Sequence, residues 1–390
     1  MIAPKSREEV AVTRAFNAFA LDLYGSMLGE SGNLIFSPFS IAMALAMIHI
    51  GARGTTADEL SHALHLPANV ETLSHGVHDV MNNLVLGEGP DKNELLVTNA
   101  FWLHEDYPFY PNYLEWIEYY FKGALFAVDL TNPEEVRAEV NDWISQQTLD
   151  LIPELIPPGF LPPFPQSICV VTNAIYFKGT WFSKFPINAT TEKPFSLLDL
   201  TEIAVPLMTV KKDFSYFEDD MVQYLEMPYL GQAIVMGVLL PRARDGLPNI
   251  EASFTSDRLE SLIAGLSHEE VVVTVPRFKI ESQFNLVEKL ESLGVVDAFV
   301  PGTADFSGIA ENPGAAISAV IHKATVEVEE EGTVAAAATA VMMAPGAGPG
   351  ARATPVFYAD HPFMFLIRDR RSGAILFMGR VVQPRPDSRL

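Results

Sequence analysis

The order in which helix-like and strand-like stretches follow one another limits this chain more than any single motif. In its first part, apolar residues recur at helical spacing. Val12, Phe16, Phe19 and Leu23 predict an amphipathic helix over roughly residues 7 to 28. Ser37-Pro38 offers an N-cap and a first-turn proline to a second helix ending near Gly51. Its apolar run, residues 39–50, is too short to span a bilayer and predicts a buried helix. Thr56-x-x-Glu59 reads as the capping box of a third helix. Residues 95–103 are β-rich and apolar and read as a central strand. Asn132-Pro133-Glu134-Glu135 reads as another N-cap that starts a further helix, with acids at the positive end of its dipole and Val136, Val140 and Trp143 on one face. Six prolines within residues 153–165 exclude regular structure there.

From Ser167 the texture changes. Short β-rich runs follow at 167–181, 221–229, 233–241, 269–281, 317–331, 363–369 and 374–382, with one helix predicted near residues 284–293. Helices first and strands later, without βα alternation, is the pattern of an α+β fold. Neither a Gly/Ser linker nor an internal repeat divides the chain, so one domain over residues 1–390 is expected.

The single cysteine, Cys169, excludes an internal disulfide, and its apolar neighbours predict a buried structural thiol. Hydrophobic residues at 48% and charged residues at 19% are those of a globular protein. The net charge of -23 and a pI near 4.7 argue against nucleic acid or heparin as partners, which need clustered Lys and Arg. Residues 1–12 lack the apolar core of a signal peptide, so either the protein stays inside the cell or a leader has been removed.

Signatures of catalysis are missing. There is no G-x-S-x-G, H-E-x-x-H, Walker loop or C-x-x-C. The run 346–350 (GAGPG) resembles a phosphate loop only superficially, because it follows no strand-to-helix turn and Pro349 removes a backbone donor. His62/His65 and His75/His78 are spaced for a shared helix face but lack a carboxylate cluster, and are expected to be solvated or capping residues. Asn188-Ala189-Thr190 is a lone glycosylation sequon. No enzyme activity, metal or cofactor is expected. What stands out instead is residues 333–351, which carry no charged side chain in so acidic a chain.

Several motifs, in order, resemble the serpin family. They are Asn33 to Ser40 (NLIFSPFS), the turn GARGTTADEL from Gly51, Asn141-Asp142-Trp143-Ile144, the strand NAIYFKGTW from Asn173, His322-Lys323-Ala324, and FYADHPF from Phe357. The resemblance implies an α+β fold of three sheets surrounded by about eight or nine helices, with a reactive-centre loop at about residues 330–356. It implies a suicide-substrate inhibitor of serine proteases. The protease cleaves the loop and forms an acyl-enzyme, and the loop then inserts as a strand in the central sheet and traps the enzyme. Such a protein is not itself an enzyme, acts as a monomer without cofactor, and in this family is most often extracellular. A cytoplasmic location, a non-inhibitory serpin acting as a binding or chaperone-like protein, and inhibition of papain-like cysteine proteases stay open.

On that resemblance the hinge comprises Glu330, Glu331, Gly332, Thr333, Val334, Ala335, Ala336, Ala337 and Ala338. Its chemistry suits burial, since neither alternating face carries a charge that desolvation would penalise. Ser37, Ser40, Asn173 and His322 match the polar cluster that holds the sheet closed, Trp181 the aromatic at the loop's entry, and Arg277 the base that pairs Glu330. Counting forward from Glu330 places the scissile bond at Gly346-Ala347, whereas counting back from Pro362 places it near Ala351-Arg352. Met342 and Met343 are further candidates. Elastase-, subtilisin- or chymotrypsin-like targets are favoured, with trypsin-like ones if Arg352 is the anchor. Residues 69–93 hold only Lys92 where some serpins are basic, so heparin activation is not expected. Leu149-Asp150-Leu151 replaces the family's usual Gly-Lys step.

Overall fold

Ser6 caps the first helix, and Val12, Phe16, Phe19 and Leu23 line its buried face. The computed structural model describes residues 5–84, 93–164, 169–311, 316–331 and 353–384. Among these, nine helices are present: α1 (Arg7–Ser26), α2 (Pro38–Gly51), α3 (Gly54–Ala63), α4 (Val70–Asn83), α5 (Pro111–Phe121), α6 (Pro133–Gln147), α7 (Leu247–Ser253), α8 (Ser256–Ala264) and α9 (Val287–Ser292). The strands of the first half are β1 (Leu34–Phe36), β2 (Glu94–His104) and β3 (Ala124–Val128). The second half supplies β4 (Cys169–Lys178), β5 (Thr191–Ser196), β6 (Glu202–Glu218), β7 (Val222–Pro228), β8 (Ile234–Pro241), β9 (Ser267–Pro276), β10 (Phe278–Asn285), β11 (Ile317–Val328), β12 (Val356–Tyr358), β13 (Phe363–Asp369) and β14 (Ile375–Val381).

Ser37 Oγ accepts from the Ser40 N–H and caps α2, which is buried on all sides through Ile48. A helix apolar all round belongs at the centre of a molecule, and this one contacts both sheets through β4 and β14. Three expectations differ from the structure. Thr56 and Glu59 are not a capping box: α3 begins at Gly54, and their side chains accept instead from the N–H groups of Asp305, Val296 and Asp297, across the chain. Asn132 occupies the N-cap of α6 but its amide donates to Asp129, not to the helix. In the strand-rich half, α7 and α8 accompany the one helix expected there, now α9.

The five-stranded sheet has the order β10-β11-β4-β2-β3. Its β10–β11 and β4–β2 contacts are antiparallel, and the β11–β4 contact is parallel, with His322 opposite Asn173. The remaining strands form a nine-stranded sheet in which the 17-residue β6 pairs β5, β9 and β7 in turn along its length. That single long strand joins by hydrogen bonds the layers the resemblance counts separately.

Alternate residues of β2, β4 and β11 face two different cores, as the period-two geometry of strands requires. Phe101, Val171, Ile175 and Val320 pack into the main core with α1 and α2. Ala100, Trp102, Val170, Ala174 and Ile321 pack on the other face under α6, with Val136, Val140 and Ile144 from the helix, Ile152 just beyond it, and Leu155 and Ile156 from the proline-rich stretch. Cys169 is buried at the start of β4, and burial pushes its thiol well above the ordinary range. No described helix is long and apolar enough to cross a membrane.

Candidate functional site

The parallel β11–β4 contact is bridged at its middle by side chains. His322 lies on β11, Asn173 opposite it on β4, and Asn99 opposite Asn173 on β2. Beneath them stands the N-terminus of α2. The Ser37 N–H donates to His322 Nε2 at 3.1 Å, so that nitrogen carries no proton. The proton therefore sits on Nδ1 and is donated to Asn173 Oδ1 at 2.5 Å. Asn173 Nδ2 donates in turn to Ser40 Oγ and Asn99 Oδ1, and Ser37 Oγ to the Leu376 carbonyl at 2.6 Å. Ser37, Ser40, Asn173 and His322 are fully buried. Burial pushes the imidazole down to about 3, which keeps it neutral. The four residues named from sequence are thus brought together. Asn99 was missed, although an amide in the middle of an apolar strand was its signal.

At the C-terminal end of β11 a second set of contacts holds the chain. The Trp181 N–H donates to the Glu331 carbonyl, the Phe185 N–H to the Glu330 carbonyl, and Trp181 Nε1 to the Glu329 carbonyl, at 2.8, 2.8 and 2.9 Å. Arg277 grips Glu330 with two nitrogens at 2.8 and 2.6 Å, and the Thr190 hydroxyl donates to Glu330 Oε1 at 2.5 Å. The arrangement is that of a bidentate, charge-assisted pair on a carboxylate only 3% exposed. Trp181 stacks on Tyr229 with ring centroids 4.3 Å apart. Gly179 makes room for that ring, since a Cβ there would stand 2.4 Å from Tyr229. Lys184 Nζ lies 3.4 Å from Glu331 Oε2.

The α6 face of the seam is covered and tied down. Asn141 accepts from the N–H groups of Leu155 and Ile156 and donates to the Ile156 carbonyl. Lys323 donates to the Glu154 carbonyl at 3.0 Å and Gln283 to that of Leu155 at 2.8 Å, so β11 and β10 each hold the proline-rich stretch. Between α6 and that stretch, Leu149 and Asp150 adopt left-handed backbone at φ 52° and 61°.

Of the expected hinge, Glu330 and Glu331 are placed as above. Gly332, Thr333, Val334, Ala335, Ala336, Ala337 and Ala338 lie outside the described residues, as do the scissile candidates Met342, Met343, Gly346, Ala347, Ala351 and Arg352 and the isolated Lys92. His65 pairs with Asp22 at the surface, and His75 and His78 pack on Tyr119 and Tyr120. Among the described residues no group of three or more His, Cys, Asp or Glu could hold a metal.

The family model described as serpin (serine protease inhibitor) matches residues 14–384. An uncharacterized serpin-like protein of Thermococcus kodakarensis is 37% identical over 98% of this chain and 88% of its own. Leukocyte elastase inhibitor A of Rattus norvegicus is 38% identical over 96% of this chain and 99% of its own. The crystal structure of Serpin48 from Tenebrio molitor superposes with a TM-score of 0.85 at 28% identity, covering 98% of this chain and all of the other. The chain belongs to the serpin family, and its fold is the α+β serpin fold.

Proposed function

We propose that this protein, as one domain spanning residues 1–390, is a suicide-substrate inhibitor of serine proteases. The observation that carries the reading is the parallel β11–β4 contact. A segment folding back from the end of β11 would run antiparallel to β11 and to β4 alike, so its entry replaces one parallel contact by two antiparallel ones, slightly the more stable kind. The residues that follow Glu331 have the composition such a burial demands, free of charge through Ala351.

In this reading the His322–Asn173–Asn99–Ser40 cluster holds the seam shut until the loop is cut. Arg277, Thr190 and Trp181 hold the top, and α6 with its proline-rich continuation lifts to let the strand pass. An inserted run of about 14 residues at roughly 3.3 Å each would carry an acylated protease on the order of 45 Å. Cleavage at Gly346-Ala347 best fits that length, and elastase-, subtilisin- or chymotrypsin-like enzymes are the favoured targets. The rat relative, leukocyte elastase inhibitor A, is named for the first of these.

One gel tests it. Incubation with elastase, subtilisin, chymotrypsin and trypsin should give an SDS-resistant complex with at least one of the first three, and mass spectrometry of the released C-terminal peptide should begin at Ala347. Cleavage by all four without any stable complex would leave the chain a substrate and a non-inhibitory member.

A further inference from the structure

A cleft of about 750 Å³ opens beside the top of β11, and five basic residues line it: Lys184, Lys211, Lys212, His268 and Arg370. Among the described residues, Asp213 is the only acid of its lining. The chain as a whole has 49 acids to 26 Lys and Arg, so a cleft drawn from the average surface would be acidic.

Partners neutralise this charge incompletely. Lys184 is near Glu331 and Lys211 lies 2.7 Å from Glu270. Arg368 and Arg370 share one carboxylate, that of Glu226, which is 1% exposed. Lys212 is exposed and makes no ion pair among the described residues. Among the described residues, two positive charges therefore reach the cleft in excess of their acid partners, against the one carboxylate of Asp213. Arg370 also donates to Ser215 Oγ at 3.2 Å, which fixes its guanidinium in the wall.

The cleft lies between the two attachments of residues 332–352. Glu331, the partner of Lys184, precedes that segment. At the other side Val272, opposite Lys211 in the β6–β9 register, donates its N–H to the Pro355 carbonyl at 3.0 Å.

We propose that this cleft binds a compact oligophosphate anion, and that the bound anion draws Lys184 away from Glu331. A volume of this size is ordinary for a small-molecule site, about 300–1,000 Å³. Oxyanions take short, charge-assisted bonds from Lys and Arg. The acidic remainder of the surface discriminates by length. At about 0.1 M salt its field is screened beyond about 10 Å, so a compact anion escapes it whereas an extended polyanion lies across it. Binding stands independently of the proposed inhibition; the consequence for Glu331 rests on it, because Glu331 begins the inserting segment.

The test is calorimetric titration of the full chain with inorganic tripolyphosphate and, separately, with ATP at about 0.1 M salt. Saturable binding is expected, weakened at least about fivefold by Lys212→Ala and abolished by Lys212→Glu, with the thermal midpoint of the ligand-free protein unchanged in both variants. Equal affinities identify the phosphate chain as the ligand. Tighter binding of ATP identifies a nucleotide, with Phe182, 52% exposed at the rim, as the surface for its base. No saturation up to about 1 mM, or affinities indifferent to Lys212, overturns the site. In a second measurement tripolyphosphate should speed complex formation with the inhibited protease in the parent protein and not in Lys212→Glu. An unchanged rate overturns the coupling to Glu331, and absence of any complex counts against the inhibitory reading while the calorimetry still decides the site.

Discussion

Glu330 is the most heavily restrained side chain at the top of the seam, with two bonds from Arg277 and one from Thr190. Arg277→Ala leaves a buried carboxylate short of its charged partner. Because the Arg277 side chain is a third exposed, the cost should be about 2 kcal/mol and not the full penalty of a buried pair. Arg277→Lys should recover only part, since an ammonium cannot grip both oxygens in plane. Urea unfolding midpoints of the two variants give the comparison. Glu330→Lys sets two cations against each other in the same place and should favour polymers after mild heating, visible on a native gel. His322 makes a prediction in pH. Its folded value, about 3, lies below the ordinary 6.5, so the unfolded chain binds the extra proton. Stability from this group is therefore complete above about pH 6.5 and falls as pH drops towards 3, by up to about 1.4 kcal/mol per unit. In His322→Gln the pH slope of stability between pH 6 and pH 4 should be shallower by about one proton, and an identical slope would show that the imidazole takes no part.

At the scale of elements, Leu149 and Asp150 leave α6 in left-handed backbone that costs a non-glycine residue about 1 kcal/mol or more. Leu149→Gly should therefore stabilise the folded protein by up to about 1 kcal/mol despite the entropy a glycine adds to the unfolded chain, and it should also loosen the exit from α6. An unfolding midpoint that falls would show that the strain is repaid by contacts of Leu149. What could be read in advance followed from distance along the chain. Ser37-Pro38 caps its own helix and the 153–165 prolines break their own stretch, so both were legible. Thr56 and Glu59 form a motif that is locally plausible, yet their partners stand 249 and 237 or more positions away. The same holds for Asn99, whose bond to Asn173 spans 74 positions. α7 and α8 escaped because their seven and nine residues show too little periodicity to outweigh the surrounding strand signal. The motifs of the site were recognisable in order because they belong to a family pattern; their mutual geometry was not.

For the molecule as a whole, the proposed inhibition requires the seam to have a second state, parted by an inserted strand, beside the closed one. On the proposed inhibitory mechanism, native and loop-cleaved chain differ in no bond of the core, but cleavage frees the loop to add a strand to the five-stranded sheet. The thermal midpoint of the cleaved form should lie above that of the intact protein, and circular dichroism of the two forms side by side checks this. Equal midpoints would mean that the parallel contact is already the resting arrangement. Cys169 would supply a clock for that proposed insertion. The only sulfhydryl of the chain lies at the foot of β4, opposite Ile317, and is 2% exposed. A maleimide dye would stain the closed protein slowly and evenly, so a burst of labelling timed against protease addition would report, from one native atom and without any engineered probe, how far down the sheet the parting travels.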